Sequence, residues 1–550
     1  MKKALFAVGL LCSSFSVFAG SYDIVYNILN TKCQNSGCHS STSSDFPKFD
    51  GSSGTVYANL FNAPPMNAVA DNRGDKLVKI NQPYSSFLLR KCGGSLDTDL
   101  QVEAGEGDSM KTISGANLSF KEIEYIRQWI INGAAASGTT VDTATINAYY
   151  DDASRVPFLP KPTLPAGGKR LRFGPMFLPT NTEKEWLLKN EVDFPYDAEV
   201  NEIDGAMNIQ SHHFLLFRFQ DSASAAAENQ GLRIVSISTG TTSFDGNKDL
   251  TGAWQGSEEI HLPAGTAMFW PKQTWLDYNY HCKNVTPKIL PVDFYITLKY
   301  REHLPSSTVV EMKSHLSNNP FFSVPANSVK TVTYNDADNN TNETRYLWML
   351  SSHTHKYGTG FDIFTKNTSM PGNIGDTIYK GTYDYAHGNE LGYYDWQHPS
   401  IRFFDPLYSV NMMQGIFCKT TWNNTSSSTL TFGLTTDKEM QLFYYMYTLQ
   451  LPVVQPNGIS NFEDGNSVHV VPNPLQGAGL LIYQLKEPGT VDITVTDITG
   501  KLISRSSQEH QNEGTHQVAL NDNGALPNGI YFARLHCNGK NITQKFVVGN

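Results

Sequence analysis

The sequence is poor in cysteine. Seven occur in 550 residues, and Cys12 lies in a leader, which leaves Cys33, Cys38, Cys92, Cys282, Cys418 and Cys537. So few thiols in so long a chain exclude a disulfide scaffold, although they leave cysteine available to hold a cofactor. Charge is sparse too: charged residues make up 17%, the net charge is −10, and no Lys/Arg-rich stripe occurs. A nucleic-acid partner is therefore not expected. Beyond the leader there is no apolar run long enough to span a bilayer. Within it, Lys2 and Lys3 precede the apolar run Ala4 to Leu11, and Val17-Phe18-Ala19 ends in a small residue before Gly20. This is the layout of a secretory signal peptide at 1–19, cut after Ala19, and it predicts a secreted or cell-surface protein.

What the chain does have is aromatic residues, 12%, with many Gly, Thr, Ser and Asn, the composition of a folded, strand-rich protein. Its length allows three or four domains. The clearest helical pattern lies in 20–138. There Ser119 and Glu122 form a capping-box spacing, Ile123, Ile126, Trp129 and Ile130 recur at helical intervals, and Gly133 ends the run. A stretch with Pro157, Pro160, Pro162 and Pro165 predicts a linker at 139–168. From 169 to 452 short alternating segments such as Phe214 to Phe219, Phe294 to Tyr300 and Arg345 to Met349 are separated by turn residues. They predict two β-sandwich domains, 169–305 and 306–452, with a seam at Pro305-Ser306-Ser307. Short strands return at 460–550, which reads as a small immunoglobulin-like sandwich. The fold class expected is multidomain and mainly β, with one small α-helical domain first.

Two groups of residues carry chemistry. Cys33-Gln34-Asn35-Ser36-Gly37-Cys38-His39 is a Cys-x4-Cys-His string. Covalent haem attachment uses Cys-x2-Cys-His, two thiols for the vinyl groups and a His for the iron, so this string with its longer loop reads either as a haem site or as a small Cys33–Cys38 disulfide. The second group is histidine: His212-His213 heading an apolar run, His281 ending Trp275 to Tyr280, and His353-Thr354-His355 ending Tyr346 to Leu350. Residues i and i+2 of a strand share a face, so His353 and His355 can aim at one ion. Adjacent His212 and His213 diverge on a regular strand and need a strand end, where the backbone turns. Imidazole sites suit copper or zinc, and a Met ligand leans toward copper.

Three resemblances extend this reading. Ile28-Leu29 before Cys33, then Met110, then Leu118 through Ala134 resemble the small cytochrome c domains of exported bacterial enzymes. The resemblance implies haem c on Cys33 and Cys38, with His39 and Met110 as axial ligands and Met66 the rival for the sixth position. His212-His213-Phe214-Leu215-Leu216, Leu262-Pro263-Ala264-Gly265 before His281, His353-Thr354-His355, Cys418 and Asp437-Lys438-Glu439-Met440, in this order, resemble the copper type II, ascorbate-dependent monooxygenases, the family of peptidylglycine and dopamine β-monooxygenases. This implies tandem jelly-roll domains holding two coppers across a gap. His212, His213 and His281 would form the electron-transfer site, and His353, His355 and Met440 the catalytic site where O2 meets a small-molecule or peptide substrate. Electrons would come from an ascorbate-like or other external donor, or through the haem domain. Ser351, Leu442 and Tyr444 stand where the peptidylglycine enzymes clamp a substrate carboxylate. Tyr444 remains as a substrate residue, but with no guanidinium the bidentate clamp is lost. Gln441 replaces the family's cysteine, so Cys418 pairs with Cys282 or both stay free. Finally, Val468 to Pro474, Val491 to Lys501 and Lys545 to Val548 resemble the C-terminal sorting domain of the type IX secretion system, whose machinery becomes an expected partner. The other readings are a non-catalytic surface protein that binds copper or haem and, more distantly, a hydrolase on the paired sandwiches.

Overall fold

The structure is a computed structural model that describes residues 20–549 except 35–38, 44–45, 111–117, 209–210, 229–230, 236–246, 255–256, 258, 306, 337, 434, 453–466, 472, 476–478, 486, 521–525 and 539. The signal peptide and Cys38 lie outside the described residues. The protein is mainly β, as expected, and forms two compact units: residues 1–261, 268–303 and 312–449, and residues 262–267, 304–311 and 450–550.

The first unit begins with helices α1 (Ser21–Lys32), α2 (Ser53–Leu60), α3 (Ala68–Asn72), α4 (Phe87–Gly93), α5 (Phe120–Ile131) and α6 (Thr143–Asp151). The predicted capping box opens α5: the Ser119 hydroxyl accepts from the Glu122 N–H, and the Glu122 carboxylate accepts from the Ser119 N–H at 2.7 Å. Ile123, Ile126, Trp129 and Ile130 are all fully buried, the face the spacing predicted. The linker expected at 139–168 is corrected in its first half. Asp142 caps α6 by accepting from the Thr145 N–H, and Ile146 enters the helical core. A helix this short, burying only Ile146 and Tyr149, leaves no periodic run for a reader of sequence to find.

Next come β1 (Lys169–Leu178), β2 (Glu183–Asp193), β3 (Ala198–Met207), β4 (Ser211–Phe219), β5 (Lys248–Trp254), β6 (Thr266–Trp270), β7 (Gln273–Lys283) and β8 (Leu290–Glu302). One sheet runs β1-β8-β3-β6, and the other sets β2, β7, β4 and β5 side by side. The two face one another across aromatic rings: Phe214 of β4 stacks on Phe294 of β8 at 3.6 Å, and Phe173 of β1 meets Tyr280 of β7 at 5.4 Å. The helical domain is docked on β1. The Arg172 guanidinium donates to Asp97 and Asp99 from the helical side and to Asp293 of β8. Tyr84 adds a hydrogen bond to the Gly174 carbonyl at 2.9 Å.

After the predicted seam follow β9 (Lys313–Asn318), β10 (Ser328–Asn335), β11 (Thr344–His353), β12 (Gly358–Lys366), β13 (Ile374–Lys380), β14 (Arg402–Asn411), β15 (Ile416–Asn424) and β16 (Leu442–Thr448), in sheets β9-β16-β11-β14 and β10-β15-β12-β13. Leu350, Phe361, Ile363, Cys418, Phe443 and Tyr445 share the core of this pair. Beside it, His315 of β9 contacts Asp336 at 2.8 Å and Asp338 at 3.1 Å, with Tyr445 and Arg345 completing the network. Burial alone would lower the His315 pKa, but the hydrogen bonds to the two carboxylates outweigh it and raise the group to about 9. A raised folded pKa gives stability that is complete below about pH 6.5 and lost as pH climbs through 9, here roughly 3 kcal/mol. Urea denaturation from pH 6 to 10 should therefore show a decline that His315→Gln abolishes. An unchanged decline in the variant would assign it to other groups.

The second unit, taken alone, holds β17 (Ser467–Val471), β18 (Leu480–Leu485), β19 (Gly489–Asp497), β20 (Leu502–Gln511), β21 (Gly514–Ala519), β22 (Gly529–Cys537) and β23 (Lys540–Val548). Sheets β17-β18-β21 and β20-β19-β22-β23 enclose Leu481, Tyr483, Ile493, Val495, Leu535 and Phe546.

Candidate metal centre

The first three histidines come together at the start of β4. Ser211 pairs with Cys282 and His213 with His281 of β7, so His212 is an extra residue in the ladder. A bulge, rather than a strand end, is what lets two consecutive imidazoles share a site. Ring nitrogens of His212, His213 and His281 all lie within 4.8 Å of one another. Their outer atoms are held by neighbours. The Asn279 amide donates to Glu185 at 2.8 Å, which turns its oxygen toward His213 Nε2 at 3.2 Å. His281 Nε2 donates to Glu183 Oε1 at 2.9 Å, and this hydrogen bond keeps the Glu183 carboxyl down at about 2. With the protons outside, the lone pairs of His213 and His281 are on Nδ1, and that of His213 accepts from His212 Nδ1 at 3.0 Å. His281 Nδ1 and His212 Nε2 are buried with no hydrogen-bond partner among the described residues. Burial, with the neighbouring imidazoles, lowers His212 far below its usual pKa, so it is neutral. Glu183 and Glu185 escaped the sequence reading, because nothing local shows that β2 lies beside β7.

The second set forms where β11 ends. His353 is the last residue of β11, and His355 lies just past it, their rings perpendicular at 5.3 Å. Strand alternation therefore does not hold the pair; the segment before β16 does. His355 donates from its backbone N–H to Glu439 at 2.9 Å and from Nδ1 to the Lys438 carbonyl at 3.0 Å, which leaves the lone pair on Nε2. Glu439 also accepts from the Tyr357 N–H at 2.8 Å and from Trp422 Nε1 at 2.9 Å. His353 pairs with Leu442 across β11 and β16, and Met440, two residues before Leu442, is buried. Burial puts His353 well below the usual imidazole range and His355 at about 4.

The two sets abut. The His212 ring lies 6.3 Å from His353 and 6.4 Å from His355, and His213 lies 6.1 Å from His353. The separation across a gap that the family resemblance implies is not found here. The Tyr444 hydroxyl, donating to the Leu250 carbonyl at 3.4 Å, is one of the links that close it. A cavity of 140 Å³ has one histidine of each set, His213 and His353, in its wall. Ser351, Leu442 and Tyr444, the three positions of the absent carboxylate clamp, line it as well.

In the helical domain, His39 Nδ1 donates to the Pro47 carbonyl at 2.8 Å, and the ring lies 4.9 Å from Phe49. Cys33 is buried at the end of α1, Met110 packs against the helical core, and Met66 is 76% exposed. The pairing open to Cys418 is settled: Cys282 and Cys418 are separate buried thiols, both pushed up to about 12 by burial.

Loss of the Glu183 carboxylate should loosen the three-histidine site. Glu183→Ala is expected to weaken the hold of the three histidines on an added transition-metal ion by about 10–100-fold, read by competition with a chelator. Unchanged affinity would remove Glu183 from the site.

Residues 469–549 match the family model of the secretion system C-terminal sorting domain. The protein is thus secreted or displayed at the cell surface, and its C-terminal domain engages the type IX secretion machinery. No curated protein matches the chain. Among solved structures, it is similar to β-glucuronidases of Parabacteroides merdae (10% identity, 43% of this chain and 28% of that one, TM-score 0.12), Ruminococcus gnavus (10%, 40% and 34%, 0.12) and Bifidobacterium dentium (9%, 40% and 38%, 0.13). The chain spans less than two-fifths of the length of each.

Proposed function

We propose that the protein is an exported copper-dependent monooxygenase that hydroxylates a C–H bond with O2, on tandem jelly-roll domains at 169–305 and 306–452. One observation carries the reading: the three-histidine set, in which His212 Nε2 and His281 Nδ1 are buried without partners among the described residues, abuts the His353–His355 set, and His213 and His353 share the wall of a single cavity, where Met440 would add a thioether to the second set. Imidazole donors without a carboxylate argue against Mg²⁺ or Ca²⁺, and the thioether favours copper over zinc. Bound there, copper would supply the one-electron chemistry that activates O2 toward a substrate C–H bond. The chain's own part is preparation. Glu183, Asn279 and the Lys438 carbonyl hold protons on the far ring nitrogens, and burial keeps His212, His353 and His355 neutral, the form that ligates. Tyr444 and Leu442 shape the substrate side of the cavity.

The proposal extends to the helical domain, where His39 and Met110 would hold a haem c carried by Cys33 and Cys38 and feed electrons onward. The Nδ1–H bond to Pro47 supports it, since the lone pair then sits on Nε2, the atom that ligates iron. Copper titration followed by oxygen-electrode measurement tests the main reading. Two coppers per chain and reductant-dependent O2 uptake are expected. Two coppers without uptake would favour a non-catalytic copper-binding surface protein. A pyridine haemochrome spectrum of the exported protein tests the haem, and its absence would confine the reading to copper.

A further inference from the structure

Resting on the monooxygenase reading, we propose that the part of the substrate that enters the cavity is uncharged and apolar, the size of one aromatic ring or a short alkyl chain, and that Ser351 and Leu442 set this preference. The wall is built from Leu215, Leu250, Trp254, Met349, Ile401 and Leu442, among others, and among the described residues it contains no Lys, Arg, Asp or Glu. Its neutral polar groups are already engaged. Ser351 donates to the Ser400 carbonyl at 3.2 Å, Ser352 bonds the Tyr379 and Tyr394 hydroxyls at 3.0 and 3.1 Å, and Tyr444 donates to the Leu250 carbonyl. His213 and His353 belong to the metal sets, and His398, 71% exposed, lies 3.4 Å from the Asp395 carboxylate. A carboxylate or ammonium entering this space would lose its water and find no compensating charge, a penalty an apolar group does not meet.

Size narrows the class further. At 140 Å³ the cavity is close to the roughly 150 Å³ of an engineered apolar cavity that stays dry and binds benzene. A group of that size would lie against His353 and Leu442, cross-strand neighbours on β11 and β16, which brings its C–H bonds to the second donor set. Ser351 is the position at which one long cationic side chain would restore recognition of an anion. Leu442, beside it in the wall, is the position at which added bulk would fill the space.

The test uses the full exported chain, copper-free and copper-loaded, with three probes of one shape: toluene, benzoate and benzylamine. Calorimetry and the ligand-induced rise in melting temperature should show toluene binding at least about 100-fold tighter than either ion, with or without copper. Leu442→Trp should abolish toluene binding, and Ser351→Arg should turn the preference toward benzoate, both with unchanged copper uptake as the check on folding. If Leu442→Trp fails to fold, Ser351→Arg still decides. Benzoate binding as tightly as toluene, or no toluene binding by a chain that takes up copper and consumes O2, would overturn the proposal. Toluene binding by a chain that takes up copper but consumes no O2 would uphold the pocket and overturn the monooxygenase reading instead.

Discussion

Met440→Ile is expected to lower reductant-dependent O2 consumption by at least about 100-fold while the three-histidine site keeps its copper. The exchange nearly conserves volume at a buried position, so the fold should lose less than about 1.5 kcal/mol. The hydrogen bonds that tie His355 to the segment before β16 run to Lys438 and Glu439, so none is cut. Only the thioether disappears, and with it the proposed donor that distinguishes the second set from the first. Copper content by elemental analysis, beside an oxygen-electrode trace, reads both halves of the result. Full turnover in the variant would mean that Met440 packs beside the site without serving it.

Glu439→Ala is expected to have the largest effect on stability, a loss of about 3–6 kcal/mol in chemical denaturation. The carboxylate accepts from two backbone N–H groups and one indole N–H, and its removal strands three donors in a buried place. These bonds also tie the His353-Thr354-His355 segment to the approach of β16, so copper should be lost from the second site first. Glu439→Gln supplies the contrast. Its amide retains one acceptor but turns a donor toward another N–H, so part of the stability should return. An Ala variant as stable as the parent would show that water replaces the carboxylate and that the clamp is not structural. Burial raises the Glu439 carboxyl to about 7, against the pull of its N–H donors, which favour the carboxylate.

Much of the architecture is legible in the sequence because it is written in local terms. The capping box at Ser119 and the helical spacing of Ile123 to Ile130 depend on neighbours within a turn or two, and α5 follows them. The alternating segments around Phe214, Phe294 and Arg345 became β4, β8 and β11. The domain at 469–549 is recognisable in the same way. Even the candidate ligands stand out, since His-His and His-x-His on apolar strands are rare patterns with few structural uses.

What holds those ligands was not legible. The neighbours of β7 are β2 and β4, which precede it by scores of residues, and no local signal says that Glu183, Glu185 and His213 meet His281 there. The bulge at His212 is a property of the pairing, since an extra residue exists only relative to a partner strand. The closeness of the two histidine sets, the apolar wall of the cavity and the unpaired state of Cys282 and Cys418 likewise arise only once distant strands are packed. Residue type and short spacing thus specify which groups are present and which local element each occupies. Distances between groups on different strands are set by long-range pairing, which is a property of the packed chain and of no segment in it.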